Sequence, residues 1–264
     1  MSVIEEQDRL GQVQSLVRAF SILEALRSAE DGLTLTEVAG IARLPRSTTH
    51  RLLATMNALR YVEFDSSNNR WLIGLQAFAL GASFMQTRDL GRLGRPIMRS
   101  LMIDAGETVN IGIGSTDGLS YIAQVRPMHD QCASVPTGAL MPLHTTASGK
   151  VLLAFGREDG FQSYLASHHQ LERMTDASLA APEMLADEMD RVRRQGFAVD
   201  DQEHQLGLVC VAAPVFDRKG AVRLSLSISG NTYRLSRKRL TGLGQVLASA
   251  AERMSSEIGG LLAA

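Results

Sequence analysis

Cysteine is scarce in this 264-residue chain: Cys132 and Cys210 stand far apart and form no Cys-x-x-Cys pair. That argues against a disulfide scaffold and fits a reducing compartment. Charge imbalance is also missing, with a formal net charge of −1. No global basic field exists, so any nucleic-acid binding must come from a local patch. Nothing approaches the roughly 20 apolar residues that span a bilayer. The opening MSVIEEQDRL is acidic and lacks the apolar core of a secretory leader. A cytoplasmic protein without membrane contact is therefore expected. Hydrophobic residues make up 45% of the chain, enough for a real core, and the length suits one large or two ordinary domains. Internal repeats and low-complexity segments are absent.

The sharpest absence is local. Between Glu37 and Glu63 there is no Asp or Glu, while Arg43, Arg46, His50, Arg51 and Arg60 occur there. The stretch Leu33 to Leu59 reads as two helices with a tight corner. Thr34 and Glu37 have capping-box spacing, and Val38, Ile41 and Leu44 supply a short apolar face. Pro45 is expected to stop the first helix. The second opens on Arg46, Ser47, Thr48, Thr49, His50 and Arg51, with Leu52, Leu53, Met56 and Leu59 behind. Such a helix suits the DNA major groove, its N-terminal residues meeting bases and phosphates. A helical hairpin with a solvated basic face is the plainer alternative. Upstream, Val13, Leu16, Val17, Phe20, Leu23 and Leu26 mark an amphipathic helix. Downstream, Tyr61–Phe64 and Arg70–Ile73 read as strands around the turn Ser66–Asn69. Three helices and this hairpin make a winged helix-turn-helix. The tip, with Asn68, Asn69 and Arg70, is either a DNA-touching wing or an ordinary Asn-rich turn.

A helix is expected from Leu75 to about Leu90, carrying Leu75, Phe78, Leu80, Phe84 and Met85. It is apolar enough to pack against a second copy or within the chain. A further helix runs to about Asp104. Thr108–Gly114 and Leu119–Val125 read as a hairpin around Ser115–Gly118, and Val135–Gly138 as a loop. Ala147–Phe155 is a helix, and residues 157–195 are expected to be mostly helical, with Pro182 a start and Gly196 a stop. Phe197–Asp200, Leu208–Phe216 and Ala221–Ser229 are strands, and a last helix carries Leu240 to Ile258. This mixture predicts an α+β domain: an antiparallel sheet with helices on one face.

Alternation in Arg223–Gly230 puts Leu224, Leu226 and Ile228 on one face and Ser225, Ser227 and Ser229 on the other. Those hydroxyls either meet water or line a polar pocket. Pro142–Lys150 brings small residues to a helix start, where free N–H groups and the helix dipole favour a carboxylate or phosphate. It is not a phosphate-binding P-loop, because Val151 follows Lys150. Asp200 and Cys210 are placed to converge on the same pocket, although a lone cysteine is ordinarily a core residue.

With these stretches in view, the chain resembles the IclR family of bacterial transcriptional regulators. The matching text is VQSLVRAFSILEAL, LTLTEVAGIARLPRSTTHRLLATMNALRYV, PLHTTASGKVLLA, RRQGFAVDDQEHQLGLVCVAAPVFD and LSLSISG, roughly Val13 to Gly259. Within the family it looks closest to the AllR type, repressors responding to glyoxylate or related small carboxylates. GETVN at Gly106–Asn110, with the GLVC and SISG text, carries that comparison. The resemblance implies a winged helix-turn-helix over residues 12–74, a linker helix used in dimerisation over 75–90, and a GAF-like effector-binding domain over 91–264. It also implies homodimers, often tetramers, on palindromic double-stranded DNA operators. No cofactor, metal or catalytic residue is implied. Carried over by position, the effector pocket falls on Ala147, Ser148, Gly149, Asp200, Cys210, Ser227 and Ser229. The AllR-type text has Gly-Ala-Gly where this chain has Ala147-Ser148-Gly149, which narrows and polarises the pocket entrance. The expected function is a DNA-binding repressor controlled by a small carboxylate. Two other classes stand beside it. One is a metal sensor using His144, Asp200, His204 and Cys210, for which no ligand spacing exists. The other is a Cys210/His204/Asp200 hydrolase, which would need a base within reach of the thiol.

Overall fold

The computed structural model describes residues 13–27, 29, 31–86, 90–115, 118–128, 139–157 and 159–258. Cys132, the loop 135–138 and the hairpin positions 116–117 lie outside these residues. The chain divides into two compact units at 87/88.

In the first unit, helices α1 (Gln14–Arg27), α2 (Leu35–Ile41) and α3 (Arg46–Ala58) precede strands β1 (Val62–Asp65) and β2 (Arg70–Ile73) and helix α4 (Leu75–Gln86). Helix α2 opens on the expected capping box: the Thr34 N–H donates to Glu37 at 2.7 Å, and the Glu37 N–H to the Thr34 hydroxyl at 3.4 Å. It ends four residues before Pro45, where Arg43 takes a left-handed conformation (φ 54°). Pro45 instead serves as the N-cap of α3. The core is Ile22, Leu26, Val38, Leu53, Met56, Val62 and Trp71. Burying each such side chain contributes about 1.5–3 kcal/mol.

Several expected core residues fall outside it. Ile41 and Leu59 are more than half exposed, because each sits at or beyond its helix's last residue. On α1 only the C-terminal half covers the core, through Ile22, Ala25 and Leu26. Val13, Leu16, Val17 and Phe20 are exposed, as are Leu75, Phe78 and Leu80 at the start of α4. The side chains of Phe84 and Met85 lie outside the described residues.

The second unit begins with α5 (Leu90–Ala105). Strands β3 (Thr108–Gly114) and β4 (Leu119–Val125) follow, then α6 (Ala147–Phe155), α7 (Gly160–Ser167) and α8 (Pro182–Gln195). Strands β5 (Ala198–Asp201), β6 (Leu208–Phe216) and β7 (Val222–Asn231) lead into α9 (Arg237–Ile258). The sheet order is β4-β3-β7-β6-β5, antiparallel throughout. Residues 157–195 are less helical than expected, because 168–181 form a non-helical strap between α7 and α8.

Helices cover both faces of the sheet, not one. Met98, Leu101, Leu247 and Met254 of α5 and α9 pack on Ile111, Val211, Leu226 and Ile228. On the other face, Ala147 and Val151 of α6 and Leu185 and Met189 of α8 pack on Tyr121, Cys210 and Ala212. The physical reason lies in β6, whose LVCVAAPVF is apolar at alternate and intervening positions alike. A strand apolar on both sides needs cover on both.

Gly32 lies in the loop between α1 and α2, against strand β2. Its φ is +72°, and a Cβ there would lie 2.6 Å from the Trp71 carbonyl, which accepts the Leu33 N–H at 2.9 Å. Gly32→Ala should destabilise the first unit by about 1–2 kcal/mol, the ordinary cost of a left-handed non-glycine residue. Urea unfolding followed by fluorescence of Trp71, the single tryptophan, reads that unit directly; an unchanged midpoint would show that the turn relaxes freely.

Candidate DNA-reading and ligand-binding sites

Helix α3 carries no acidic residue. Its opening turns expose Arg46, Ser47, His50 and Arg51, with Thr48 half-buried. Thr49 departs from the expectation: it is fully buried, and its hydroxyl donates to the Pro45 carbonyl at 3.1 Å. It falls on the same stripe as Leu53 and Met56, so it faces the core and leaves the reading face. Arg70 departs too. Its guanidinium donates to the Gly32 carbonyl at 2.6 Å and lies 3.9 Å from Glu37, tying the turn end of the hairpin to the loop before α2 and to α2 itself. At the tip, Asp65 accepts from the Ser67 hydroxyl at 2.6 Å and from the Asn68 amide at 2.8 Å. These bonds, Ser67's first, hold the Asp65 carboxyl below its ordinary range. The tip therefore presents exposed Asn69 beside an ionised acid, a poor phosphate surface.

The second site lies between α6 and the sheet. Its floor is a set of rungs fixed by strand register. Asp200, Cys210, Ser229 and Thr108 make the first, and Ala212, Ser227, Asn110 and Gln124 the second. Pro214, Ser225, Gly112 and Tyr121 make the third. Ser225 and Ser227 are completely buried, so the serine face does not meet water. Ser229 is half-buried and accepts from the Asn110 amide at 3.3 Å, and Asn110 in turn accepts from Gln124 at 2.7 Å. The hydroxyls of Ser148, Ser225 and Ser227 are buried with no partner among the described residues.

Above this floor, Thr146 caps α6, its hydroxyl accepting the Gly149 N–H at 3.1 Å. Gly149 thus differs from its expected role. Its N–H is taken, and any Cβ would collide with the Leu143 carbonyl, so it serves close packing. Among the described residues the N–H groups of Ala147 and Ser148 at the helix end have no acceptor.

Lys150, dismissed on sequence grounds as a phosphate ligand, is the main residue that sequence reasoning missed. It has no exposure to water. Its ammonium donates to Glu203 at 2.6 Å, Glu188 at 3.0 Å and the Val199 carbonyl at 2.5 Å. A charge inside the otherwise apolar ASGKVLLAF was its only sequence signal. Asp200 accepts the N–H groups of Glu203 at 2.7 Å and His204 at 3.3 Å. Burial and then the Glu203 charge nonetheless raise its carboxyl to about 7, against the pull of Lys150. Burial also pushes the Cys210 thiol and the Tyr121 hydroxyl up, and both stay neutral.

The metal-sensor set does not converge. Both ring nitrogens of His144 are engaged, one accepting from the Tyr164 hydroxyl and the other donating to the Glu172 carbonyl, each at 2.8 Å. His204 pairs with Thr145 at 3.2 Å. Among the described residues no group of three metal-ligating side chains could hold an ion. The hydrolase arrangement fares no better. The Cys210 thiol reaches the Val211 carbonyl at 3.9 Å and lies beside the Ser227 hydroxyl, and among the described residues no histidine pairs with it.

A winged helix-turn-helix with a basic reading helix, joined to a sheet domain with unfilled polar groups, defines a ligand-responsive DNA-binding regulator of transcription. Residues 15–66 match the IclR helix-turn-helix domain, and residues 82–256 match the bacterial transcriptional regulator IclR C-terminal domain. The chain belongs to the IclR family. It is 38% identical over 254 residues to the transcriptional repressor IclR of Escherichia coli, covering 95% of this chain and 92% of that protein. It is 32% identical over 269 residues to the transcriptional repressor AllR of Escherichia coli, covering 98% of each. Among solved structures, an IclR transcriptional regulator from Alicyclobacillus acidocaldarius superposes with a TM-score of 0.81 at 25% identity, covering 93% of this chain and 98% of that one. An IclR homolog from Microbacterium hydrocarbonoxydans, complexed with 4-hydroxybenzoate, gives 0.79 at 18% identity, covering 92% and 99%. Among the described residues, no helix is long and apolar enough to cross a membrane.

Asp200 binds its proton more readily in the folded chain, at about 7, than at the ordinary value of 3.8. Between those values the folded state holds the extra proton, so stability falls as pH rises from about 4 to 7. Asp200→Asn should flatten that slope in urea unfolding followed by circular dichroism at pH 5 and 7.5. The same slope in the variant would assign the proton to another group.

Proposed function

We propose that this chain is a repressor that binds a palindromic operator as a homodimer or tetramer in the cytoplasm and answers to a small carboxylate such as glyoxylate. The observation that carries ligand control is the pair of buried, unpartnered hydroxyls, Ser148 and Ser227, beside the open N–H groups of Ala147 and Ser148. Unfilled donors at a helix start favour an anion. Unpaired buried hydroxyls ask for a polar occupant. Asp200, its carboxyl raised to about 7, and the neutral Cys210 thiol reduce the repulsion that anion meets. Relatives that are repressors, and a fold neighbour holding the carboxylate 4-hydroxybenzoate, support the same assignment.

For DNA, the reading surface is Arg46, Ser47, His50 and Arg51, with Thr48 at its edge; Asn69 on the wing offers an amide but, beside Asp65, little for a phosphate. Dimerisation draws support from Leu16, Val17 and Phe20 on α1 and Leu75 and Phe78 on α4, which leave apolar surface exposed in the unit that reads DNA. Two readers related by a two-fold axis would meet half-sites about one helical turn apart, or a multiple of it.

Two variants test the two halves separately. Arg51→Ala should weaken binding to a duplex selected by the protein from random sequence by about 1–3 kcal/mol, with the fold intact; unchanged affinity in a fluorescence anisotropy titration removes Arg51 from the interface. Ser227→Ala combined with Ser229→Ala should keep DNA affinity and lose the response to small carboxylates. A full response in that double variant would move the pocket elsewhere.

A further inference from the structure

The turn between α2 and α3 holds an arginine in a backbone conformation that favours glycine. Arg43 has a φ of 54°. Its N–H donates to the Gly40 carbonyl at 3.3 Å, and the Leu44 N–H donates to the Ala39 carbonyl at 2.9 Å. This pair of bonds is a Schellman closure of α2, with Arg43 at the left-handed position just after the Ala42 cap. Glycine is the usual residue there, because a Cβ is disfavoured in that region. Among the described residues nothing calls for arginine instead. Ala42 and Leu44 on either side pack against the core, whereas Arg43 is exposed. Its guanidinium has no acceptor among the described residues. Glu37, the acid of α2, is taken by Thr34 and Arg70 at the other end of that helix.

Position supplies the role. Arg43 stands three residues before Arg46, inside the acid-free stretch that builds the reading face. In a helix-turn-helix the second helix enters the major groove and the first crosses the backbone of the duplex. The turn that joins them therefore lies at the lip of the groove, beside a phosphate. We infer that Arg43 is a phosphate contact, held at a left-handed position so that its guanidinium meets the DNA strand bordering the groove. The partner is the sugar-phosphate chain of duplex DNA, whatever its bases. This rests on the DNA-reading surface proposed above. Guanidinium–phosphate bonds are charge-assisted, and they set the register of a reader without specifying sequence.

Arg60 provides an internal comparison. It closes α3 in the same way, with a φ of 62°. Its N–H donates to the Asn57 carbonyl and the Tyr61 N–H to the Met56 carbonyl, each at 2.9 Å. It too is exposed. It stands at the far end of the reading helix, roughly 20 Å from Arg46 at the usual helical rise. There its carbonyl accepts the Gln76 N–H of α4 at 3.0 Å. The two arginines share charge and conformation and differ in place.

The test is fluorescence anisotropy titration of the full chain at several salt concentrations. One duplex is selected by the protein from random sequence, and the other is its scrambled counterpart. Arg43→Gly should weaken binding to both duplexes by the same factor, about tenfold, and lower the salt slope of the affinity by about 1. Arg43→Lys, which keeps the charge, should retain most of the binding. Arg60→Gly should leave affinity and slope unchanged. The urea midpoint read at Trp71 should stay level or rise in both glycine variants, which shows that the turns still close. Unchanged affinity and slope in Arg43→Gly overturn the contact. An equal loss in Arg60→Gly assigns the effect to total charge and overturns it too, as does a midpoint that falls in Arg43→Gly. A loss confined to the selected duplex makes Arg43 a base contact and overturns the phosphate assignment. A wild-type chain that binds neither duplex removes the DNA-reading surface and this inference with it.

Discussion

Lys150 holds a full charge where no water reaches it, and the ligand-binding unit is arranged to satisfy that charge. Its three acceptors come from separate places: Glu188 on α8, Glu203 on the loop after β5, and the Val199 carbonyl of β5 itself. An ammonium taken out of water costs several kcal/mol unless its partners are well placed, and losing one partner of such a cluster costs about 3–5 kcal/mol. The cluster therefore fixes α6, α8 and β5 relative to one another. It also sets the chemistry next door. Lys150 directly follows Gly149 at the start of α6, so the open N–H groups of Ala147 and Ser148 are held over the sheet. Burial, and then the Glu203 charge, leave Asp200 raised to about 7 against the pull of Lys150. The pocket beside it is polar through hydroxyls and helix-end N–H groups, without a mobile cation.

The first unit works on a different constraint, the phase of α3. Thr49, Leu53 and Met56 lock one side of the helix into the core, which turns Arg46, Ser47, His50 and Arg51 outward together. Phosphate contacts from such residues position a reader, and base-edge contacts specify the sequence. The chain's net charge of −1 gives no general attraction to DNA, and the acid-free stretch around α3 is the local basic surface on which the proposed operator contact relies. A ligand in the second unit controls this surface only if it binds the DNA-competent and DNA-incompetent arrangements with different affinity.

What was legible in the sequence was local or periodic. The Thr34–Glu37 capping box, the Asn-rich hairpin and the serine–leucine alternation of β7 each depend on residues close in the chain, and each appears as expected. Thr49 was misassigned although its spacing to Leu53 and Met56 placed it on the core stripe; four polar residues in a row hid the phase. Helices on both faces of the sheet were signalled by the unbroken apolar run of β6, but β7 alone suggested a one-sided sheet. The Lys150 cluster was not legible, because its glutamates lie 38 and 53 residues away. Tyr121 was equally hidden, since only the register of β4 on β3 and of β3 on β7 brings it onto the sheet face that carries Ser225 and Ser227.

The measurement that bears most directly on ligand control is a reciprocal one on the intact chain. Operator affinity is titrated with and without a saturating small carboxylate, and carboxylate affinity with and without a saturating operator duplex. If the pocket under α6 governs DNA binding, both affinities change by the same factor, roughly 5–150-fold, as linkage requires. An operator affinity that stays constant while the acid demonstrably binds would separate the two units and contradict ligand control.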